Sequence, residues 1–380
     1  MSEPTMTADV IVIGAGIAGA SVAANLSESC TVILAEMESQ PGYHTTGRSA
    51  AVFAPSYGPA GVRALTRASR AFYDAPPAGF CDAPLLTPRE ILMIARDDQG
   101  AALDALIETA SRDTAVERLD ASGLQDHQPL LRSGYATAGM LDRGGQDIDV
   151  AALHQGYLRL FKKGGGTLLR NAEVLSLRPD STGWTADTKA GTLKAPVVVN
   201  AAGAWADRIG ELAGAETIGL KPKRRTAMMV PEPAGFTRRD APITIDIEEQ
   251  FYLKPDAGRL LLSPADETPS NPCDAQPDEM DVAICADRIM TAFELDIRRI
   301  ENKWAGLRSF VADKEPVIGF STQAEGFFWM AGQGGYGIQT APAAGRLASA
   351  LVQGKPVPED LIDHGFDQTL VASNRTGLAA

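Results

Sequence analysis

The chain has 380 residues, a formal net charge of −13 and 44% hydrophobic residues. That length favours two domains over one, and the apolar share is enough for a sizeable core. An acidic balance, with a pI of about 4.9, argues against nucleic acid and against docking on an anionic membrane, because both need a basic face.

Cys30, Cys81, Cys273 and Cys285 are scattered and form no C-x-x-C pair, so neither a disulfide framework nor a zinc site is expected. The first apolar segment ends at once in glycines, which reads as a strand and not as a signal peptide. No apolar stretch approaches the roughly 18 residues of a membrane span. The expectation is a soluble protein of a reducing cytoplasm, with no transmembrane segment and no nucleic-acid partner.

The chain opens as strand, turn, helix, strand. Asp9 to Ile13 is a short apolar run suited to a buried parallel strand. Ile17 to Ser27 reads as a helix of small residues, and Thr31 to Ala35 as a second strand. Tyr43 to Gly61 is loop-like, rich in Thr, Ser, Gly and Pro. Beyond Pro76, Pro77 and Pro84, Ile91 to Ile94 reads as a strand and Gly100 to Ser111 as a helix. Ala151 to Lys163 reads as a helix ended by Gly164-Gly165-Gly166. Three strands follow, the last being Val197 to Asn200. From Lys221 to Lys303 the chain has strand-like runs, many prolines and an acidic tract near Asp274 to Asp281. After Trp304 short apolar strands return, and a final helix begins near Ala341.

Gly14-Ala15-Gly16-Ile17-Ala18-Gly19 is a G-x-G-x-x-G between a strand and a helix, the context in which it binds a dinucleotide. Gly14 permits the tight turn, Gly16 lets backbone approach a pyrophosphate, and Gly19 lets the helix pack on the sheet. The amide groups and dipole of the helix, including Ile17 and Ala18, hold the diphosphate. Glu36 ends the second strand, where an acid accepts hydrogen bonds from ribose hydroxyls. A Gly-rich turn with a surface glutamate is the structural alternative, and context, spacing and the acid together outweigh it. Two further segments favour FAD over NAD. Asn200-Ala201-Ala202-Gly203-Ala204-Trp205 closes a buried strand with small residues. Gly332-Gln333-Gly334-Gly335-Tyr336-Gly337-Ile338 precedes the last helix and supplies a second anion-binding helix start, which a flavin needs for charge on its N1–C2 carbonyl edge.

At these residues the chain resembles the D-amino acid oxidase superfamily of flavoproteins, and within it the bacterial FAD-dependent D-arginine dehydrogenases. The resemblance is carried by Val12 to Ala20, Gln40 to Ala51, Leu220 to Arg225, Phe251 to Asp256, Trp304 to Phe310 and Gly332 to Thr340. It implies an α/β fold: a Rossmann-like FAD-binding domain (1–83, 140–218 and 304–380) with an inserted mixed-sheet α+β substrate domain (84–139 and 219–303). It implies a cofactor site formed by the Gly-rich turn with Glu36, Met37, Gln40, Thr45, Thr46, Arg48, Ser49, Ala50, Val174, Ala202, Gly203, Trp205, Gly306 and Arg308. Gly334, Gly335, Tyr336, Gly337, Ile338, Gln339 and Thr340 complete it, although Tyr336 also reads as core. It implies a non-covalent FAD, because relatives that tether the flavin do so through a Cys where this chain has Gln339 and Thr340.

The resemblance further implies oxidation of an amino acid by hydride transfer from Cα. Arg225 and Arg308 match a pair that clamps the substrate carboxylate, which fits the forked geometry of arginine. Tyr57 and Tyr252 match substrate-contacting tyrosines, Tyr57 on a loop able to close as a lid. Ala50 and Gly335 also fall at the substrate. A surface charge is the alternative for each arginine, and for Arg224 it is the better reading. No general base is evident. His44 falls near the flavin by resemblance, while His127, His154 and His364 read as surface or capping residues. Asp142, Asp147 and Asp149 read as helix capping, and no metal is expected.

The chain departs from the family at the substrate side chain. D-arginine dehydrogenases hold the guanidinium with a glutamate at the position of Ile91. Here Glu90 is one residue earlier and so points to the other face. Val52 and Ala54 replace polar pocket residues, and Ile243 and Ile245 are apolar. The expected substrate is therefore a D-amino acid with an apolar side chain. A basic D-amino acid, or a sarcosine- or glycine-type secondary amine, is the alternative. The electron acceptor is an artificial or quinone-type molecule or O2.

Overall fold

The computed structural model describes residues 5–378. Its central sheet has six strands in the order Thr167–Leu169, Val32–Ala35, Val10–Ile13, Val197–Asn200, Phe327–Ala331 and Val317–Phe320. All neighbours are parallel except the last pair. The strands Val10–Ile13 and Val32–Ala35 are buried throughout, as continuous apolar runs in a sheet covered on both faces must be. One face carries the helices Ile17–Leu26, Val150–Lys163 and Gly337–Val352. The other carries the helix Ala206–Ala213 and a four-stranded sheet that begins with Thr5–Thr7 and includes Val174–Asp180.

A second, nine-stranded sheet forms the other half of the molecule. Its order is Thr268–Pro269, Lys221–Pro231, Arg259–Ser263, Tyr252–Asp256, Ile243–Asp246, Ile91–Ala95, Ala138–Asp142 and Val116–Asp120, with Asn302–Phe310 also pairing Lys221–Pro231. The strands Ala138–Asp142 and Asn302–Phe310 cross the positions expected to divide the domains, at 139/140 and 303/304. A three-stranded sheet of Val52–Phe53, Gln146–Ile148 and Leu86–Pro88 lies between the two halves.

Several local expectations change. The segment from Tyr43 to Gly61 holds a 3-10 turn at Thr46–Arg48 and the strand Val52–Phe53, and at its end begins the helix Ala60–Asp74. That helix lacks a local cap. Its first amides are taken by a distant acid, with Gly61 N–H donating to Glu315 Oε1 at 2.7 Å and Val62 N–H to Oε2 at 3.1 Å. The acidic tract runs into the helix Glu279–Ala292, with Asp278 as N-cap and Glu279 and Asp281 in the first turn, where negative charge suits the helix dipole. The last helix starts at Gly337, not near Ala341, so Gln339 and Thr340 lie in its first turn. Of the three acids read as caps, only Asp149 caps a helix, accepting from Ala152 N–H at 2.8 Å. Asp142 is buried in a strand and Asp147 is an ion-pair residue.

Candidate active site

The site begins where the strand Val10–Ile13 turns into the helix Ile17–Leu26. Gly14 has φ +97°, a conformation that side chains oppose. A β-carbon on Gly19 would stand 1.8 Å from the Gly14 carbonyl oxygen, so helix and turn touch only because that carbon is missing. Glu36 is buried and both its oxygens are engaged: Oε2 accepts from Ala15 N–H at 2.8 Å and Oε1 from Glu38 N–H at 2.9 Å. Burial raises its carboxyl above the ordinary value, and these two bonds oppose that shift. Thr46 Oγ1 accepts from Ile17 N–H at 3.0 Å, joining the 3-10 turn to the helix start.

His154, read from sequence as a surface or capping residue, is instead buried beneath this turn. Its Nε2 lies 2.8 Å from the Ala15 carbonyl oxygen, the geometry of an N–H donor to that acceptor. Burial lowers its pKa. His127 is half-buried, with Nδ1 3.3 Å from Glu90, and His364 is exposed. His44 bonds Glu38 at 2.9 Å and packs on the Trp205 ring at a centroid distance of 4.7 Å.

A long cleft runs from this turn to the large sheet. Of the residues expected at the cofactor, Gly14, Gly16, Ile17, Ala18, Glu36, Met37, Thr45, Thr46, Arg48, Ser49, Ala50 and Val174 line it. So do Ala202, Gly203, Trp205, Gly306, Arg308, Gly334, Gly335, Gly337 and Ile338. Gly19, Gln40, Tyr336, Gln339 and Thr340 stand outside the lining. Gln40 is exposed, and Gln339 is buried with Oε1 accepting from Ala54 N–H at 3.0 Å. His44, Ala227, Ser309 and Gln333 line the cleft as well. Sequence reasoning named none of the last three as a site residue, although Ser309 and Gln333 lie in segments it singled out and Ala227 sits two residues from Arg225. Ser309 Oγ and Gln333 Nε2 are buried without a partner among the described residues. Unpaired polar atoms in a cleft of this length fit a large, many-acceptor cofactor.

At the far end the strands Lys221–Pro231 and Asn302–Phe310 pair with Arg225 opposite Gly306, two residues from Arg308. Arg225 and Arg308 both line the cleft with Tyr252. Arg225 is 7% exposed, and its one ion pair is with Glu267 at 3.4 Å. Burial and the neighbouring charge of Arg308 lower its proton affinity. Arg308 has no hydrogen-bond or ion-pair partner among the described residues. Two cations with so little balancing charge make an anion site. Arg224, read as a surface charge, points elsewhere and pairs with Asp281 at 2.6 Å.

Tyr57 stands behind this end, its hydroxyl donating to Glu249 Oε2 at 3.2 Å. Its pKa is pushed up to about 12, first by burial and then by the Glu249 carboxylate. Glu249 sits in the turn between the strands Ile243–Asp246 and Tyr252–Asp256 with φ +54°. Only the acidic run before Phe251 hinted at it. Val52, Ala54, Ile91, Ile243, Ile245 and Tyr252 form one apolar cluster. Glu90 lies on the outer side of the strand Ile91–Ala95 and pairs with Arg143 at 2.8 Å.

The FAD dependent oxidoreductase family (DAO) matches residues 9–351. The chain belongs to this family. Its cofactor is FAD, as the family match shows, and the dinucleotide turn and the unpaired polar atoms of the cleft fit that group. It is 28% identical over 242 residues to the glycine oxidase of Geobacillus kaustophilus (strain HTA426), covering 62% of this chain and 61% of that protein. It is 28% identical over 260 residues to the mitochondrial dimethylglycine dehydrogenase of Mus musculus, covering 62% of this chain and 29% of that protein. The matches thus span less than two thirds of either relative. In structure it is similar to the glycine oxidase from Geobacillus kaustophilus, with a TM-score of 0.85, 23% identity, and 97% and 99% of the two chains covered. It is also similar to L-alpha-glycerophosphate oxidase from Mycoplasma pneumoniae with FAD bound, with a TM-score of 0.81, 18% identity, and 91% and 95% covered. For this DAO-family chain the two relatives similar in sequence named here carry the names of glycine chemistry, where the sequence pointed to D-arginine dehydrogenases.

No helix among the described residues is long and apolar enough to cross a membrane.

Proposed function

We propose that this chain oxidises the carbon–nitrogen bond of a glycine-type substrate, an amino acid with a small or absent side chain and a primary or secondary amine. The carrying observation is where the cleft ends. Its substrate end is bounded by Ala50, Ala227 and Tyr252, and it stops short of Val52, Ile91, Ile243 and Ile245. Those four are packed into the apolar cluster behind. The names of the relatives support the same reading.

Arg225 and Arg308 hold the carboxylate, and their fork geometry fixes the orientation of Cα. FAD, when bound, supplies the hydride acceptor. The two guanidiniums disfavour an ammonium nearby, so they assist loss of the proton that must leave nitrogen before transfer. The carboxylates nearest this end, Glu267 and Glu249, are engaged with Arg225 and Tyr57, so no side chain is assigned as the base. Tyr57 and Tyr252 close the site on the side away from the dinucleotide turn.

A second reading, a D-amino acid with an apolar side chain, is supported by the apolar cluster behind Tyr252. A basic side chain would lose hydration there without a partner, because Glu90 is already paired on the other face. Anaerobic bleaching of the flavin with glycine, sarcosine, D-alanine, D-leucine, D-arginine and their L-forms tests the proposal. Glycine and sarcosine should bleach fastest, and bleaching by D-leucine alone moves the assignment to the second reading. No bleaching by any of them rejects both.

A further inference from the structure

Lys254 is 5% exposed and lies behind the substrate end of the cleft. Its Nζ donates to Asp147 Oδ1 at 2.7 Å, and Asp147 Oδ2 accepts from Arg89 Nε at 2.8 Å. A buried lysine is rare unless paired. The chemistry proposed above uses none of these three residues.

Each of the three is tied to a wall of the pocket. Lys254 is two residues from Tyr252 on the strand Tyr252–Asp256, so both side chains project from one face. Asp147 lies directly opposite Val52 in the pairing of Val52–Phe53 with Gln146–Ile148. Arg89 Nη1 donates to Arg239 O at 2.9 Å and to Ala241 O at 2.6 Å, which holds the chain just before Ile243. Ile243 is in turn in register with Ile91. One carboxylate thereby fastens together the segments that carry Tyr252, Val52 and Ile243. A second cavity, lined by Ser49, Ala50, Asp147, Lys254 and Asp256 among others, shares Ser49 and Ala50 with the cleft. The walls therefore have room to move on this side once the fastening is lost.

We infer that the Arg89–Asp147–Lys254 ion chain is a positioning device that fixes the depth of the substituent pocket and so restricts the substrate class to amino acids with a short substituent or none. Removing the carboxylate charge leaves buried Lys254 facing half-buried Arg89 with no anion between them, and removing the lysine leaves a half-buried anion half-satisfied. Either change drives the segments apart. The inference rests on the proposed carboxylate site between Arg225 and Arg308.

The test titrates the FAD-loaded protein with acetate, butyrate and 4-methylpentanoate and reads Kd from the change in flavin absorbance, which needs no turnover. In the wild type Kd should rise with chain length. Lys254→Met and Asp147→Asn should each lower the ratio of the 4-methylpentanoate Kd to the acetate Kd by roughly 10-fold or more, the discrimination a single methylene carries in a closed pocket. Lys254→Arg should restore the wild-type ratio. Asp147→Asn keeps the size of the side chain and removes only its charge, so the test stands even where Lys254→Met does not fold. Variants that melt earlier yet keep the wild-type ratio overturn the inference and leave the proposed function intact. A wild-type spectrum that responds to none of the three acids overturns the carboxylate site itself, and the inference with it.

Discussion

Gly335 faces the guanidinium of Arg308 so closely that a β-carbon there would stand 2.9 Å from Nη1 and 3.0 Å from Cζ. The helix Gly337–Val352, which starts just beyond, thus sets where the cation sits in the cleft. Gly335→Ala should fold, because what it meets is a mobile side chain and not backbone. It should displace Arg308 and raise KM by about tenfold, equivalent to about 1.4 kcal/mol, while FAD content stays at one per chain. Steady-state kinetics beside a flavin absorbance count check this, and an unchanged KM would remove Arg308 from the substrate's carboxylate.

Arg308→Ala takes away one arm of the proposed clamp. Loss of a partner from a buried charged pair costs roughly 2–5 kcal/mol of transition-state binding. kcat/KM should therefore fall by a similar large factor for every substrate, whatever its substituent. An effect confined to one substituent class places Arg308 in the substituent pocket instead.

Glu90 offers a contrasting expectation. It pairs with Arg143 and His127 on the outer side of its strand, so Glu90→Gln should leave the substrate profile unchanged. Under the second reading, in which the substrate side chain enters the apolar cluster, Ile91→Glu should raise activity on D-arginine relative to D-leucine; under the glycine-type reading it should leave that ratio unchanged. A profile that moves with Glu90→Gln would mean that the acid reaches the substrate.

His154 gives the fold a pH dependence. Burial depresses its pKa in the folded chain below the ordinary value of about 6.5. The unfolded chain then binds a proton before the folded chain does, so the contribution of neutral His154 is present above about pH 6.5 and is lost as pH falls below it. His154→Gln keeps a donor toward the Ala15 carbonyl but does not titrate. The wild type should lose Tm relative to this variant between about pH 6.5 and 5, and parallel Tm curves would contradict it.

The flavin should leave the chain intact when the protein is denatured, because no cysteine lines the cleft among the described residues. Trichloroacetic acid precipitation with absorbance of the supernatant reads this directly. Flavin retained in the pellet would refute the non-covalent attachment.

Much of the nucleotide half was legible because its signals are local. A buried parallel strand needs a continuous apolar run, and the turn after it needs glycine where φ is positive or backbone touches backbone. Val10 to Gly19 and Glu36 therefore carry their roles in their spacing. The face of the strand on which Glu90 and Ile91 sit also followed from alternation alone. The helix Ala60–Asp74 was not legible, since its cap is Glu315, some 250 positions away and brought near only by folding. His154 read as a surface residue because nothing in its own helix reveals that the Gly-rich turn lies above it. The depth of the pocket belongs to tertiary structure in the same way. It depends on how Ala50, Ala227 and Tyr252 converge from three segments, and on Asp147 reaching Lys254 and Arg89 at once. Composition named the chemistry of those side chains, but only packing decided which of them meet.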